Sequence, residues 1–351
     1  MVAATRAPRL DSLTGLRFGA ALVVFLHHLP VGPTLDHFTK QGTAGVSFFF
    51  ILSGFVLMWS HGERVGARRF YRRRFARIYP AHLVAWVIGA IIVTAKGLSW
   101  SADEFIVGAA LVQDWIPEQR YYFAINGVAW SLSCEVFFYV TFPFWAHRLA
   151  ALGSRARAGL AVAAVAGVVG MAAVATVVDP GADYLRTDDS VWVWFVRHAP
   201  FVRILEFLLG ALLAVELLRG RRCPLGWLPA LVVAGVAYVA AGVAPSAFGV
   251  AAVTLVPFAL LIAAAAEADR GGAGTPFRRR WLVWLGEVSF AFYLVHLWFI
   301  DAFDLPASGH LIVSLPLAIA GAALLHHLVE RPAERRIRGR NSLLVGGVPR
   351  A

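Results

Sequence analysis

Long apolar runs alternate with short, arginine-rich polar connections along nearly the whole chain. Ten of the runs are about 17 to 22 residues long, enough for a helix to cross a hydrocarbon layer of about 30 Å. We place them at Ser12–Leu29, Thr43–Trp59, Ile78–Thr94, Ile125–Trp145, Gly159–Val177, Pro200–Leu218, Trp227–Val243, Phe248–Ala266, Trp281–Ile300 and His310–Val329. The pattern predicts an all-α polytopic membrane helix bundle with about ten transmembrane helices.

Positive charge is unevenly shared between the connections. With a cytoplasmic N-terminus, 25 of the 32 Lys and Arg residues lie in cytoplasmic connections and 5 in outer ones. The positive-inside rule therefore predicts an even number of spans with both termini cytoplasmic. It also explains the formal net charge of +11 without a nucleic-acid partner, because the arginines form short clusters and no continuous basic face.

Composition supports the same class. The chain of 351 residues is 59% hydrophobic and only 15% charged, whereas soluble domains carry about 25% charged residues. The first apolar run ends at Pro30 without a small-residue cleavage site, so we expect the N-terminus to be retained. We expect one transmembrane domain over residues 1–340, a cytoplasmic tail over 341–351, and a plasma-membrane location; the Ala-, Arg- and Gly-rich composition suits a high-GC bacterium.

The first predicted helix carries Arg17 and His28, and ionisable residues inside membrane helices are functional candidates. Their spacing of eleven positions is about 1100°, within roughly 20° of three full turns, and rises about 16 Å. They therefore share a face, from which His27 points about 100° away. Alternatively, Arg17 snorkels to the inner interface and His28 lies at the outer one.

The fourth predicted helix carries Glu135 one turn from Ser131 and one turn from Tyr139, which gives a polar stripe. Glu135 is either an acceptor that orients a catalytic histidine or the structural partner of an arginine on a neighbouring helix.

Two further spans carry polar residues at helical spacing. Ser289, Tyr293 and His296 recur at i, i+4 and i+7, a pattern that packing or interfacial residues also give. Arg203 and Glu206 are three residues apart, and we expect them to neutralise each other.

The connection "ARRFYRRRFARIYP" interleaves aromatic residues with arginines, among them Arg73, Arg74 and Arg77. Membrane topology and anionic headgroups alone explain such a loop. Arginine also presents a bidentate fork to phosphate oxygens, so a phosphate clamp is the functional alternative.

Six segments in order resemble acyltransferase family 3, a family of integral-membrane O-acyltransferases. They are "LDSLTGLR" followed by ten residues and His28, "GVSFFFILSGF", "RRRFARIYP", "WSLSCEVFFY", "SFAFYLVH" and "VERP". The resemblance covers nearly the whole chain, in the form without a fused hydrolase-like domain. Two positions depart from the family pattern: Ser47 stands where an Asp is frequent, and His82 where an aromatic residue is common.

The resemblance implies transfer of an acyl group from acyl-coenzyme A to a hydroxyl of a sugar or other acceptor. In that reaction His28 resembles the essential histidine with Arg17 its partner, Arg74 and Arg77 resemble the pair linked to coenzyme A, and Glu135 resembles the glutamate of the tryptophan-serine-leucine motif.

Together these observations predict His28 as general base, oriented by Glu135, although a covalent acyl-histidine remains an alternative. Acyl-coenzyme A is the expected donor, with no metal, and the acceptor is a sugar, an envelope glycan or a glycosylated natural product such as a macrolide. We expect donor binding at Arg17, Arg73, Arg74 and Arg77. Candidate substrate-lining residues are Trp130, Ser131, Tyr139, Ser289, Tyr293 and His296.

Two other functional classes fit an apolar bundle. A proton-coupled transporter or flippase would also use intramembrane Arg, His and Glu, but the chain shows no inverted repeat and no paired broken helices. A structural membrane subunit would not need an arginine and a histidine on one helix face.

Overall fold

The computed structural model of the protein describes residues 9–61, 66–186 and 189–338. These residues form helices joined by short connections, without β-strand. The main helices, α1 to α11, are Asp11–His27, Ala44–Trp59, Ala67–Ala95, Trp130–Ala151, Ser154–Val178, Pro200–Leu218, Trp227–Val243, Leu255–Arg270, Arg280–Ile300, Ser314–Leu325 and Arg331–Arg338. Shorter helices lie between them at Pro33–Thr39, Ala102–Ala109, Gln119–Tyr122, Val191–Val193, Ser246–Val250 and Ala307–Ile312.

Each of the ten predicted apolar runs overlaps a helix, which confirms the all-α class. Among the described residues, six helical segments are long and apolar enough to cross a membrane. They are Asp36–Trp59, Ala67–Ala95, Ser154–Val178, Ser246–Arg270, Arg280–Ile300 and Ala307–Ile337. The predicted tail, 341–351, lies outside the described residues.

The spans differ in how much of their surface the protein covers. The most apolar window of Asp36–Trp59 is 83% buried inside the protein, whereas that of α5 is 22% buried. A helix that is apolar on its exposed side has no stable contact with water, so it faces lipid. The protein therefore has a central helix, α2, and a peripheral helix, α5.

Glycines allow the closest helix contacts. A Cβ at Gly54 of α2 would lie 1.9 Å from the Phe207 carbonyl oxygen of α6, and one at Gly286 of α9 would lie 1.8 Å from the Thr14 carbonyl oxygen of α1. Small residues at such crossings let two backbones touch, which is how membrane helices pack. The Gly286 contact sets α1 directly against α9.

The central helices also bury an ion pair on α6. Arg203 and Glu206 of α6 are 2% and 1% exposed, and Nη1 of Arg203 lies 2.8 Å from Oε1 of Glu206. Nη2 of Arg203 donates to Oγ of Ser47 at 3.1 Å. The predicted pairing is confirmed, and Ser47 contributes a neutral hydroxyl to it.

Candidate active site

Helix α1 carries the two polar groups predicted from its spacing. It has no proline or interior break between Asp11 and His27, and His28 continues the helical backbone with φ −88° and ψ −1°. Leu13, Phe25 and neighbouring apolar side chains bury one side of the helix in the bundle.

His28 lies beside His296 of α9. Nδ1 of His28 is 2.8 Å from the Val24 carbonyl oxygen and 3.4 Å from Nε2 of His296, and the two ring centroids are 5.2 Å apart. Nδ1 of His296 lies 2.9 Å from the Tyr293 carbonyl oxygen. We call His28 and His296 the histidine pair.

His27 has different surroundings. Its Nδ1 lies 3.1 Å from the Thr39 carbonyl oxygen, in the segment that follows α1. The two neighbouring histidines thus have different partners, and it is His28 that contacts His296 of α9.

A second polar region lies near Arg17, towards the N-terminal end of α1, and contains arginines of α3. Nη1 of Arg77 pairs with Glu330, whose side chain is fully buried, and lies 3.4 Å from Oε1 of Glu334. The guanidinium of Arg74 lies 5.9 Å from the ring centroid of Tyr139, within cation–π range. Arg73 is partly buried on the same helix.

Glu135 belongs to this end of the site. Its carboxylate is hydrogen-bonded to Tyr139 and interacts electrostatically with Arg17, Arg74 and Arg77. We call Arg17, Arg74, Arg77, Glu135 and Glu330 the arginine cluster.

The described contacts give Glu135 and His28 different partners. Nδ1 of His28 contacts Val24 and His296, whereas Glu135 interacts with Arg17, about 16 Å from His28 along the axis of α1. Helical spacing predicts which residues share a face with Glu135, but it cannot give the depth of Glu135 relative to α1. A role of Glu135 in acyl transfer stays a prediction.

The other predicted lining residues fall into separate groups. Oγ of Ser131 lies 2.8 Å from the Tyr293 hydroxyl, which joins α4 to α9 beside the histidine pair. Tyr139 instead shares a 2.9 Å hydrogen bond with Ser53 near the arginine cluster. The Ser289 hydroxyl donates to the Gly286 carbonyl of its own helix at 2.8 Å.

Two groups near the site were missed by sequence reasoning. Glu330 lies in a π-helical turn, His326–Glu330, where it also accepts from Nδ1 of His326 at 2.9 Å. Its i, i+4 spacing from His326 and its place in "VERP" were available signals, but the predicted span ended at Val329. π-Helical turns frequently occur at functional sites.

The second missed group surrounds His198, beyond the histidine pair. Its ring stacks on Tyr122 at 4.3 Å and meets the predicted lining residue Trp130 edge-on at 4.5 Å. Asp114 is buried nearby and accepts a 3.4 Å hydrogen bond from Sγ of Cys134. Burial raises the pKa of Asp114 well above its ordinary value.

Comparison with known proteins assigns the chain to a family. The family model of acyltransferase family 3, described as an acyltransferase domain, matches residues 10–327. The chain is 36% identical over 98% of its length to "Acyltransferase MdmB" of Streptomyces mycarofaciens, covering 96% of that protein. It is 28% identical over 38% of its length to the peptidoglycan O-acetyltransferase OatA of Listeria monocytogenes, covering 24% of that protein. None of the solved structures matches the chain.

These matches favour an enzyme over the transporter interpretation, because the family and the Streptomyces relative are both described as acyltransferases and the matches extend over nearly the whole chain. The chain belongs to acyltransferase family 3 and is a membrane O-acyltransferase.

Proposed function

We propose that the protein transfers a short acyl group, such as acetyl, from acyl-coenzyme A to a hydroxyl of a sugar, a glycan or a glycosylated natural product. The observation that carries the proposal concerns α1. Arg17 of this helix belongs to the arginine cluster, and His28, about 16 Å further along the helix axis, lies beside a second histidine. One helix thus supplies an arginine for binding the polyanionic donor and a histidine for proton transfer. The name of the Listeria relative supports acetyl transfer to a glycan hydroxyl.

The proposed topology has ten spans with both termini in the cytoplasm of a bacterial cell. The uneven distribution of Lys and Arg supports it. In this orientation the arginine cluster faces the cytoplasm, where acyl-coenzyme A is made available, and the histidine pair lies in the outer half of the plasma membrane.

Donor binding is proposed at Arg17, Arg73, Arg74 and Arg77. Guanidinium groups form two parallel hydrogen bonds with phosphate oxygens, which suits the phosphates of coenzyme A. Glu330 and Glu334 hold the side chain of Arg77 in place. The acyl-pantetheine arm then follows α1 towards His28.

Transfer requires a base near the thioester. His28 removes the proton of the acceptor hydroxyl as its oxygen attacks the thioester carbonyl carbon. The carbon–sulfur bond then breaks, and the coenzyme A thiolate takes the proton from His28. Transfer therefore needs no oxidant or other co-reactant.

Mass spectrometry of extracellular glycans and secreted metabolites, from cells with and without the protein, tests the proposal. We expect one class of hydroxyl-bearing glycoside to carry the acyl group only in cells with the protein. In membranes containing the protein, labelled acetyl-coenzyme A should label the same compound. Identical profiles, together with no transfer of the label, would contradict the proposed function.

A further inference from the structure

The hydrogen bonds of His28 fix which ring nitrogen acts as the base. A backbone carbonyl oxygen can only accept, so Nδ1, 2.8 Å from the Val24 carbonyl, must carry a hydrogen. In a neutral imidazole the other nitrogen then has the free electron pair. Nε2 of His28 is therefore the nitrogen that can take a proton from an acceptor.

The same reasoning applies to His296. Its Nδ1 lies 2.9 Å from the carbonyl oxygen of Tyr293 and 3.3 Å from that of Phe292, so Nδ1 donates. Nε2 of neutral His296 is then an acceptor, and it lies 3.4 Å from Nδ1 of His28. The hydrogen on Nδ1 of His28 is shared between the Val24 carbonyl and His296.

His296 is itself held rigidly. The residue is fully buried, and its ring stacks on Phe292 with centroids 5.7 Å apart. The neighbouring Tyr293 is anchored by hydrogen bonds to Ser131 and to the Val128 carbonyl, at 2.8 and 2.9 Å. An acceptor whose position is fixed by packing can hold its partner ring in one orientation.

We propose that His296 is the positioning residue of His28: it accepts from Nδ1, keeps Nε2 free and directed at the acceptor, and stabilises the imidazolium formed during transfer. The inference rests on the proposed function of His28. When Nε2 of His28 gains the acceptor proton, the ring becomes cationic and Nδ1 becomes a stronger donor, so both of its acceptors bind it more strongly. The proton on Nδ1 stays in place, and the one on Nε2 passes to the leaving thiolate.

Three substitutions at one position test the inference. Gln reaches far enough to place an amide oxygen near the position of Nε2, Asn reaches only the position of Nδ1, and Met fills the space without an acceptor. We expect kcat of His296→Met and His296→Asn to fall by about tenfold or more, a part of the 10²–10⁴ that general-base catalysis contributes. His296→Gln should recover most of that loss.

KM for acetyl-coenzyme A and for the acceptor should stay within about twofold in all three variants, because only the transition-state cation is affected. His310→Met is the matched control, since His310 is also buried and bonds through Nδ1 to Ser314 at 2.9 Å. Its kcat per folded molecule should equal that of the wild type. Thermal stability in detergent is measured for every variant. If His296→Met fails to fold, the comparison of kcat between His296→Gln and His296→Asn tests the inference.

Equal activity of the Gln and Asn variants, or unchanged kcat in His296→Met, would overturn the inference. In either case a His28→Ala variant without activity would leave the proposed function intact. If His28→Ala keeps its activity instead, the assignment of His28 as base fails, whatever the variants at position 296 show.

Discussion

The arginine cluster and the histidine pair are both polar regions inside an apolar bundle, but different groups hold them. The arginine cluster is held by opposite charges from different helices, such as Arg77 of α3 and Glu330 of the turn after α10. The histidine pair is held by backbone carbonyls of its own helices, those of Val24 and Tyr293.

This difference predicts which substitutions affect folding and which affect turnover. A buried ion pair that loses one member leaves a charge in a medium of low dielectric constant, which is costly. A neutral histidine can be replaced without leaving a charge, so the cost is at most that of an unpaired neutral hydrogen-bonding group. Substitutions in the arginine cluster should therefore change folding or donor binding, and those in the histidine pair should change turnover.

The largest expected effect is that of His28→Ala. Turnover per folded molecule should fall by about 10² to 10⁴, the contribution of a general base, while the melting temperature changes little. His27→Ala is the matched control and should keep much of the activity, because His27 contacts Thr39 and lies outside the pair. Acyl transfer by the purified variants provides the measurement, and equal losses would show that the two histidines do not differ in function.

Glu330→Gln should have the next largest effect, on folding. It removes the buried partner of Arg77, which costs about 3 kcal/mol, the lower end of the range for a broken buried pair because Glu334 remains. Glu334→Gln removes the longer, more exposed contact and should cost less than about 1 kcal/mol. Denaturation in detergent measures both, and equal losses would mean that the cluster is not held by Glu330.

Arg74→Ala should weaken binding of coenzyme A by about tenfold or more, since a hydrogen bond between charged groups contributes about 1.5–3 kcal/mol. Arg68→Ala removes the same charge from an exposed position of α3, where screening should limit the change to about twofold. Calorimetric titration of the purified protein with coenzyme A compares them. Equal weakening would indicate general attraction by the arginine-rich segment and no clamp.

Glu135→Gln should have the smallest effect. We expect a loss of about 1–2 kcal/mol in stability, because Gln can still bond Tyr139 and Glu330 also interacts with Arg17. Turnover per folded molecule should stay within about threefold, below the 10²–10⁴ of a general-base contribution. A large loss of turnover in a variant of normal stability would instead support a direct part for Glu135 in acyl transfer.

Several features of the site could be predicted because they depend on neighbours along one helix. The step from Arg17 to His28, the angle of about 100° between His27 and His28, and the pairing of Arg203 with Glu206 all follow from 3.6 residues per turn. The partners of Glu135 could not be predicted in the same way, because they depend on the relative depth of two helices.

The amino-acid sequence by itself determined the membrane class, the approximate positions of the apolar helices and which side chains share a helix face, since apolar length and helical period are local properties. It did not show that the arginine-rich segment is the first part of α3. Only the tertiary structure decided which faces meet. His28 and His296 are 268 residues apart, and Arg77 and Glu330 are 253 residues apart. Their contacts depend on the depth and rotation of whole helices, which are set by close crossings such as Gly286 against Thr14.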